Sequence, residues 1–398
     1  MIEKIFTQYN QYQLEATLER TLLESDQIFS SNRGIYINRG ELFTSNISDI
    51  KGLLKEVNDN YETPKIKPFI IFGLSFKNKS SDETKISFPK EAIHIDNRNF
   101  VTHYRFSIDE NFEETKFVND SNEYPHQLEL TSTEAKENFS DKVSRALKYI
   151  ENGEVSKVVL ARQLKMVSDT AINKRILFLE LLDSQPDCYV YSINNFVGAS
   201  PELLLEKFDD TIKLQPMAGT RKRHARINDD EQDLADLRTN TKDTFEHKVV
   251  VEDIVAKLNK ISKNVFYPEN PSVIKLPHVA HLATNISAIV DKNIDIIDLI
   301  NIIHPTPAVA GVPTAKALEI IDELEDFDRE IYAAPIGWFD SDLNGQSALA
   351  LRCAKVIKET ATLFAGVGIV KGSDPIKEWD ETKAKLGVIR DALMNISQ

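Results

Sequence analysis

Cysteine is scarce in this sequence, with only Cys188 and Cys353 among 398 residues. The two cysteines form no CxxC motif, so the chain offers neither a disulfide framework nor a cysteine-based metal or redox site. This usage is typical of a protein that works in a reducing cytosol.

Long apolar runs are also missing. No stretch approaches the ~18 consecutive apolar residues that a membrane span needs. The N-terminal stretch MIEKIFTQYNQYQLEATLER lacks the apolar core of a signal peptide. We therefore expect a soluble, cytoplasmic protein with no membrane partner.

Positive charge is in deficit: 48 Lys and Arg residues face 62 Asp and Glu residues, for a net charge of −14. An acidic chain repels nucleic acid and anionic membrane surfaces, so neither is expected as a partner. The charge balance does not identify a substrate, because a basic pocket can lie inside an acidic protein. A hydrophobic content of 41% is ample for a sizeable core.

Strand and helix patterns are mixed along the chain. Residues 1–130 are expected to form a variable N-terminal part, with an apolar strand at Phe69–Phe76 and a polar surface loop at Ser107–Gln127. Residues 131–398 carry sharper signals and are expected to form the catalytic region of one integrated domain.

Three helices are predicted in this second part. The first begins near residue 131 and stops at Gly153, and the second covers Asn240–Ile261. The third starts with Pro375 and is capped by Asp374. The stretch PIGWFDSDLNGQSALAL predicts a hairpin that turns at Asn344–Gly345. Because the elements show no regular βα alternation, we expect an α+β fold with large, mainly antiparallel sheets.

Two pairs of acidic residues share a helical spacing. Glu378 and Glu381 lie three residues apart in KEWDETKAKL, and Asp243 and Glu246 repeat that spacing in KDTFEHKVVVEDI. Such a pair is usually a solvated helix face. The valines at 249–251, however, predict a buried helix, and several buried carboxylates need a cation to stay ionised together. Hard oxygen donors favour Mg²⁺ over zinc, so the four acids are candidates for a split Mg²⁺ site.

Three further residues combine charge with apolar surroundings. Lys157 begins the strand KVVLAR and is either a desolvated base or an exposed strand-end lysine. Glu202, in GASPELLLE, is either a general acid or an ordinary residue at a strand start. Arg352, in ALALRCAKV, is predicted in mid-strand, where it needs a substrate carboxylate or an internal acid as partner.

The glycines of AGVG (Ala365–Gly368) predict a loop whose backbone N–H groups can approach a ligand. The loop is no dinucleotide signature, because GxGxxG is absent. His281 and His304 show no metal-ligand spacing, and a histidine in such a setting is more often structural than catalytic.

Nine ordered blocks cover roughly residues 135–395: KVVLAR, GASPELLL, QPMAGTRKR, KDTFEHKVVVEDI, HLATNISA, HPTPAVAGVPTAKALEII, IYAAPIGWFD, NGQSALALRCA and LFAGVGIVKGSDPIKEWDETKAKL. Together they resemble the chorismate-utilising enzymes. The resemblance implies one large α+β domain in which two mainly antiparallel sheets pack around a core, with helices outside and the active site in a cleft.

Within that family, members that add water to chorismate carry a lysine at the position of Lys157, and ammonia-using members lack it. The resemblance therefore implies an isochorismate synthase, an isomerase that uses Mg²⁺ to convert chorismate reversibly to isochorismate. Salicylate synthase, which also releases pyruvate, is an alternative that the HPTPAVAG and PIGWFD blocks disfavour. The compact N-terminal part favours the 2,3-dihydroxybenzoate siderophore branch, with the menaquinone branch as the alternative.

The resemblance also implies residue roles. Lys157 would be the base that takes a proton from water attacking C2, and Glu202 the acid that protonates the departing C4 hydroxyl. Four acids would bind Mg²⁺, the first two directly and the last two through water: Glu246, Glu381, Asp243 and Glu378. Seven residues would contact the substrate: Thr220, His281, Ala308, Arg352, Gly366, Gly368 and Lys385.

The expected partner is the small molecule chorismate. We expect a monomer, with a functional link to a downstream isochorismatase. A non-catalytic chorismate-binding or scaffold protein is the rival of a different class. The presence of both Lys157 and Glu202 argues against it, because a binding protein has no need of two proton-transfer groups.

Overall fold

The structure of the chain is a computed structural model. It describes residues 2–8, 26–60, 67–77, 85–98, 100–106, 128–223, 227–277 and 279–397.

The helices of the described segments are α1 (Ile47–Asn60), α2 (Lys136–Glu151), α3 (Lys174–Ser184), α4 (Ile227–Thr239), α5 (Thr241–Leu258), α6 (Ile296–Ile303), α7 (Thr314–Leu324) and α8 (Pro375–Asn395). The strands are β1 (Ile2–Gln8), β2 (Gln27–Ser31), β3 (Gly34–Asn46), β4 (Phe69–Gly73), β5 (Lys85–Ile95), β6 (Phe100–Phe106), β7 (Leu128–Thr133), β8 (Lys157–Ser168), β9 (Tyr189–Ile193), β10 (Phe196–Ser200), β11 (Leu203–Phe208), β12 (Thr211–Leu214), β13 (Met217–Lys222), β14 (Ser262–Phe266), β15 (Ser272–Lys275), β16 (Val279–Ala283), β17 (Ile286–Val290), β18 (Gly311–Val312), β19 (Pro335–Asp340), β20 (Gly345–Leu349), β21 (Cys353–Ile357) and β22 (Thr360–Val370).

Two large sheets and one small sheet organise these strands. The largest has twelve strands in the order β1-β6-β5-β3-β2-β9-β10-β21-β22-β8-β18, with β7 paired to β8. A seven-stranded sheet runs β14-β17-β12-β11-β20-β19-β4, and a three-stranded sheet runs β13-β16-β15. The pairings within the described residues are antiparallel. The expectation of an α+β fold with mainly antiparallel sheets is confirmed.

Strands from the N-terminal part extend both large sheets. Strand β2 pairs with β9 in the twelve-stranded sheet, and β4 pairs with β19 in the seven-stranded sheet. A division of the chain near residue 130 stays a prediction.

Alternating side chains give the twelve-stranded sheet two apolar faces. Tyr191 and Phe196 belong to the main core, which also contains residues of the seven-stranded sheet such as Leu205. Val190 and Val197 point the other way, into a second core with α3 and α8. The large sheet is therefore covered on both sides, as the resemblance implied.

Local signals located several elements correctly. The Asp374 carboxylate accepts hydrogen bonds from the N–H groups of Ile376 and Lys377, and Pro375 is the first helical residue. The Asn344–Gly345 turn joins β19 to β20. The polar stretch Ser107–Gln127 lies outside the described residues.

Two local predictions are wrong. Arg352 lies between β20 and β21 rather than in mid-strand, with a positive φ of 49°. The chain leaves the seven-stranded sheet there and enters the twelve-stranded sheet. Ala365–Gly368 is no loop, because these residues pair with β8 inside β22, Gly366 opposite Ala161 and Gly368 opposite Val159.

None of the described helices combines the length and the apolar character that crossing a bilayer requires.

Candidate active site

A cavity opens beside the twelve-stranded sheet, against the three-stranded sheet. Its walls come from β8, β13 and β22, from the segment around Ala308, and from the turn that contains Tyr332. The predicted metal ligand Glu246 lines it, and so do most of the residues predicted to bind substrate or transfer protons: Glu202, Thr220, His281, Ala308, Arg352, Gly366, Gly368 and Lys385.

Lys157 lies at the start of β8 and is completely buried. Its Nζ is 3.0 Å from Oε1 of Glu246, which stands between the lysine and the cavity. Gly368, on the neighbouring strand, makes this contact possible, because a Cβ there would come within 2.0 Å of the same Glu246 oxygen. The alternative of an exposed strand-end lysine is wrong.

Glu202 lies where the chain passes from β10 in one large sheet to β11 in the other. Its side chain is buried, and its Oε1 accepts a 3.4 Å hydrogen bond from the Met217 N–H. Burial raises the pKa of Glu202 to about 7, against the opposing effects of that hydrogen bond and of the Lys157, Lys385 and Arg352 charges. A carboxyl group with such a pKa can hold a proton at neutral pH and give it away.

The second sheet crossing, at Arg352, lies beside the first. The Leu349 N–H donates to the Glu202 carbonyl at 3.2 Å, and the Ala199 N–H donates to the Arg352 carbonyl at 3.3 Å. The two crossings therefore place a buried acid and a buried cation on the same cavity.

Arg352, His281 and Thr220 form a hydrogen-bonded row along this cavity. Arg352 Nη2 lies 2.8 Å from His281 Nε2, and His281 Nδ1 lies 3.1 Å from Thr220 Oγ1. A guanidinium only donates, so Nε2 is the acceptor and the imidazole proton sits on Nδ1. Burial, together with the charges of Arg352 and Lys385, holds the pKa of His281 well below its usual value. The ring is therefore neutral and orients Arg352.

Helices α5 and α8, which carry the four predicted metal ligands, are linked by an ion pair between Lys242 of α5 and Glu378 of α8. Asp243 and Glu378 are almost fully buried, and Glu246 is 9% exposed. Each of the four acids faces a basic side chain: Asp243–Arg221 at 2.5 Å, Glu246–Lys157 at 3.0 Å, Glu378–Lys242 at 2.5 Å and Glu381–Lys385 at 2.7 Å. Within the described parts of the chain, no three His, Cys, Asp or Glu side chains converge into a metal-ligand set.

Lys242 is the cation shared by this acidic cluster. Burial opposes its charge, but Glu378, Glu381 and Glu246 outweigh burial and raise the pKa of Lys242. The cations paired with these acids do not offset burial at every acid: burial and the neighbouring Glu381 still raise the pKa of Glu378 to about 7. Carboxylate oxygens are the donors that Mg²⁺ prefers, so the acids suit such an ion by their chemistry, while in this structure each is engaged by a cation.

Three polar residues at the site, Arg221, Lys242 and Tyr332, were not predicted from the sequence. Arg221 and Lys242 neutralise two of the acids, and Tyr332 places its hydroxyl beside Gly366, where a Cβ would lie 2.8 Å from the phenolic oxygen. Tyr332 also lines the cavity. The blocks QPMAGTRKR, KDTFEHK and IYAAPIG contain these residues, but nothing in their spacing shows which side chains face them across the fold.

Comparisons with known proteins agree with this geometry. The profile of a family described as "Chorismate binding enzyme" matches residues 32–394. The chain is 38% identical over 262 residues to the isochorismate synthase MenF of Bacillus subtilis, covering 65% of this chain and 56% of that protein. It is 35% identical over 256 residues to the isochorismate synthase EntC of Escherichia coli, covering 63% of this chain and 66% of that protein.

The matched region thus spans less than two thirds of the length of these two relatives. Among solved structures, DhbC from Bacillus anthracis superposes with a TM-score of 0.80 at 29% identity, covering 96% of this chain and 99% of that one. The family match extends over nearly the whole described fold, cavity included. This chain belongs to the chorismate binding enzyme family.

Proposed function

We propose that this protein is an isochorismate synthase, which moves the hydroxyl group of chorismate from C4 to C2. The observation that carries the proposal is one cavity lined by Glu202, a buried carboxyl group with a pKa of about 7, and by Glu246, the ion-pair partner of the buried Lys157. The relatives named isochorismate synthase support it.

Chorismate carries two carboxylates, and the cavity offers cations for them. Arg352 is oriented by His281, and Lys385 Nζ lies 3.0 Å from the Gly366 carbonyl at the cavity wall. The Tyr332 hydroxyl adds a neutral donor beside Gly366. Binding both carboxylates fixes the ring between the base and the acid, which is the main entropic requirement of the reaction.

Proton transfer follows from the positions of Lys157 and Glu202. Lys157 acts in its amine form, after its contact with Glu246 has opened. The free amine then takes a proton from water as the water oxygen bonds to C2. Glu202 gives its proton to the C4 hydroxyl, which leaves as water while both ring double bonds shift. Each transfer is worth about 10²–10⁴ in rate.

Mg²⁺ is part of this proposal. Glu246 and Glu381 would hold the ion, supported by Asp243 and Glu378, and it would supply positive charge that draws electrons from the ring through the ring carboxylate. A chelator is therefore expected to stop turnover and added Mg²⁺ to restore it.

Lys242 provides a test of the metal site that does not depend on activity. Because its ammonium occupies the acidic cluster, Lys242→Gln is expected to tighten Mg²⁺ binding about fivefold or more, measured by calorimetry on metal-free protein. Lys248→Gln, on the exposed face of the same helix, is the matched control and should leave the affinity unchanged. Weaker or unaltered Mg²⁺ binding in Lys242→Gln would refute a metal site at this cluster.

The activity itself is tested by incubating the protein with chorismate and Mg²⁺ and identifying the product by chromatography. We expect isochorismate in equilibrium with chorismate. A lactate-dehydrogenase-coupled assay for pyruvate separates this result from the salicylate synthase alternative. Chorismate recovered unchanged from fully folded, Mg²⁺-saturated protein would sink the proposal.

The pathway and the assembly also belong to the proposal. We propose that the product feeds 2,3-dihydroxybenzoate siderophore synthesis through an isochorismatase in the cytoplasm, and that the protein is a monomer. The menaquinone branch is the alternative. Two isochorismate synthases with different names, MenF and EntC, match this chain at similar identities, 38% and 35%, so the identities do not separate the two branches. The identity of the neighbouring genes tests the pathway, and light scattering of the purified protein tests the monomeric state.

A further inference from the structure

A further buried ion pair, remote in sequence from the acidic helices, adjoins the cavity through Arg329. Glu325, directly after α7, and Arg329 form a two-point contact: Nε to Oε2 at 2.8 Å and Nη2 to Oε1 at 2.5 Å. Both side chains are 2% exposed. Burying such a pair has a desolvation cost that an apolar pair avoids, so its presence calls for a reason.

The pair completes the hydrogen bonding of the strand that carries Lys157. Strand β18 covers only the first two residues of β8, Lys157 and Val158. Beyond them, Arg329 Nη2 donates to the Val159 carbonyl at 2.8 Å, and the Ala161 N–H donates to Glu325 Oε1 at 2.7 Å. The ion pair thus takes the place of a neighbouring strand along this edge of β8.

Arg329 also joins two other walls of the cavity. Its Nη1 donates to the Val309 carbonyl at 2.8 Å, next to Ala308, and its own carbonyl accepts from the Tyr332 N–H at 2.7 Å. The guanidinium lies over the Phe76 ring, 4.4 Å from the centroid. Nε, Nη1 and Nη2 are therefore all engaged with protein groups, so Arg329 lines the cavity without being a substrate ligand.

We propose that Arg329, held by Glu325, is a positioning residue that fixes the strand of Lys157 against the walls of Ala308 and Tyr332. The inference rests on the proposed function, because the expected effect of this positioning is on the rate of proton transfer at Lys157. A planar guanidinium suits the task, since it can donate to two carbonyls and a carboxylate in one fixed geometry.

The double variant Glu325→Gln/Arg329→Met tests the inference. It removes both charges together, keeps a carbonyl for the Ala161 N–H, and deletes the donors to Val159 and Val309. We expect kcat to fall about 10–100-fold, because small misplacements of reacting groups are costly, while KM changes about threefold or less. Amide hydrogen exchange should accelerate at Val159–Ala161.

The matched control is Arg39→Met/Glu91→Gln, which removes a buried pair between β3 and β5, away from the cavity. It should leave kcat and exchange in β8 unchanged even if thermal stability falls. If the first double variant fails to fold, Arg329→Lys serves instead. It keeps the charge balance but cannot donate to both carbonyls, and should lower kcat about 3–10-fold.

The outcomes separate the two claims. Wild-type kcat and unchanged exchange at Val159–Ala161 in a folded variant would overturn the positioning role. If the wild-type protein leaves chorismate unchanged, the proposed function fails, while faster exchange confined to β8 in the variant would still support the structural part of the inference.

Discussion

Lys157→Ala is expected to lower chorismate turnover by about 10²–10⁴-fold, the range typical for loss of a general base. The lysine is completely buried and its Nζ contacts Glu246, so no other amine can take its position without rebuilding the strand. Turnover is measured by product chromatography at saturating chorismate and Mg²⁺.

Loss of the lysine also leaves the Glu246 carboxylate without its partner. Removing one member of a buried ion pair lowers the free energy of unfolding by about 3–5 kcal/mol. Lys157→Met/Glu246→Gln removes both charges and separates an inactive site from an unfolded protein. Lys165→Ala, at an exposed position of the same strand, is the control and should keep full turnover. Near-normal activity in a folded Lys157→Ala protein would break the assignment of the base.

Local signals were enough to predict much of this fold. An aspartate before a proline gave the start of α8, and a valine-rich helix with two acids gave α5, because caps and periodicity depend on residues close in sequence. The antiparallel character of the sheets followed from the lack of βα alternation.

The sheet crossings could not be predicted in this way. Alternating small residues around Arg352 suggested one continuous strand, whereas the chain changes sheets there with a φ of 49°. The same kind of crossing places Glu202 between β10 and β11. A crossing depends on how two sheets pack against each other, and this is long-range information that no short window contains.

The pairing of charges was likewise out of reach. Spacing indicated that each acidic pair lies on one side of its helix, but a periodicity does not say which side chains lie opposite. Arg221 and Lys242 became visible as partners of Asp243 and Glu378 only through the fold. The sequence therefore predicted the acids as metal ligands and missed the cations that compete for them.

Glu202→Gln is expected to lower turnover by about 10²–10⁴-fold with little change in fold, because the amide keeps the size of the acid but has no proton to give. Glu206→Gln is the matched control on the same chain segment. Burial raises the pKa of Glu206 too, but hydrogen bonds and charge from Arg33, Gln346 and Lys213 outweigh it and lower that pKa overall. Glu206 cannot serve as an acid at neutral pH, so its amide variant should keep turnover within about threefold.

The pH dependence of kcat/KM is the most direct test of Glu202 as the acid, because it reports the pKa values of the essential groups of the free enzyme. The acid must carry its proton, and its pKa of about 7 lies above the ordinary value of 4.5. As pH rises through about 7 the protonated fraction falls, and kcat/KM should drop about tenfold for each further pH unit.

The same carboxyl group makes the stability of the protein depend on pH. The folded protein binds the Glu202 proton more tightly than the unfolded chain, so the stability that this proton contributes is present below pH 4.5 and is lost as pH rises through about 7. Glu202→Gln should abolish both trends together, whereas a limb near pH 7 that survives in this variant would assign the titration to another group.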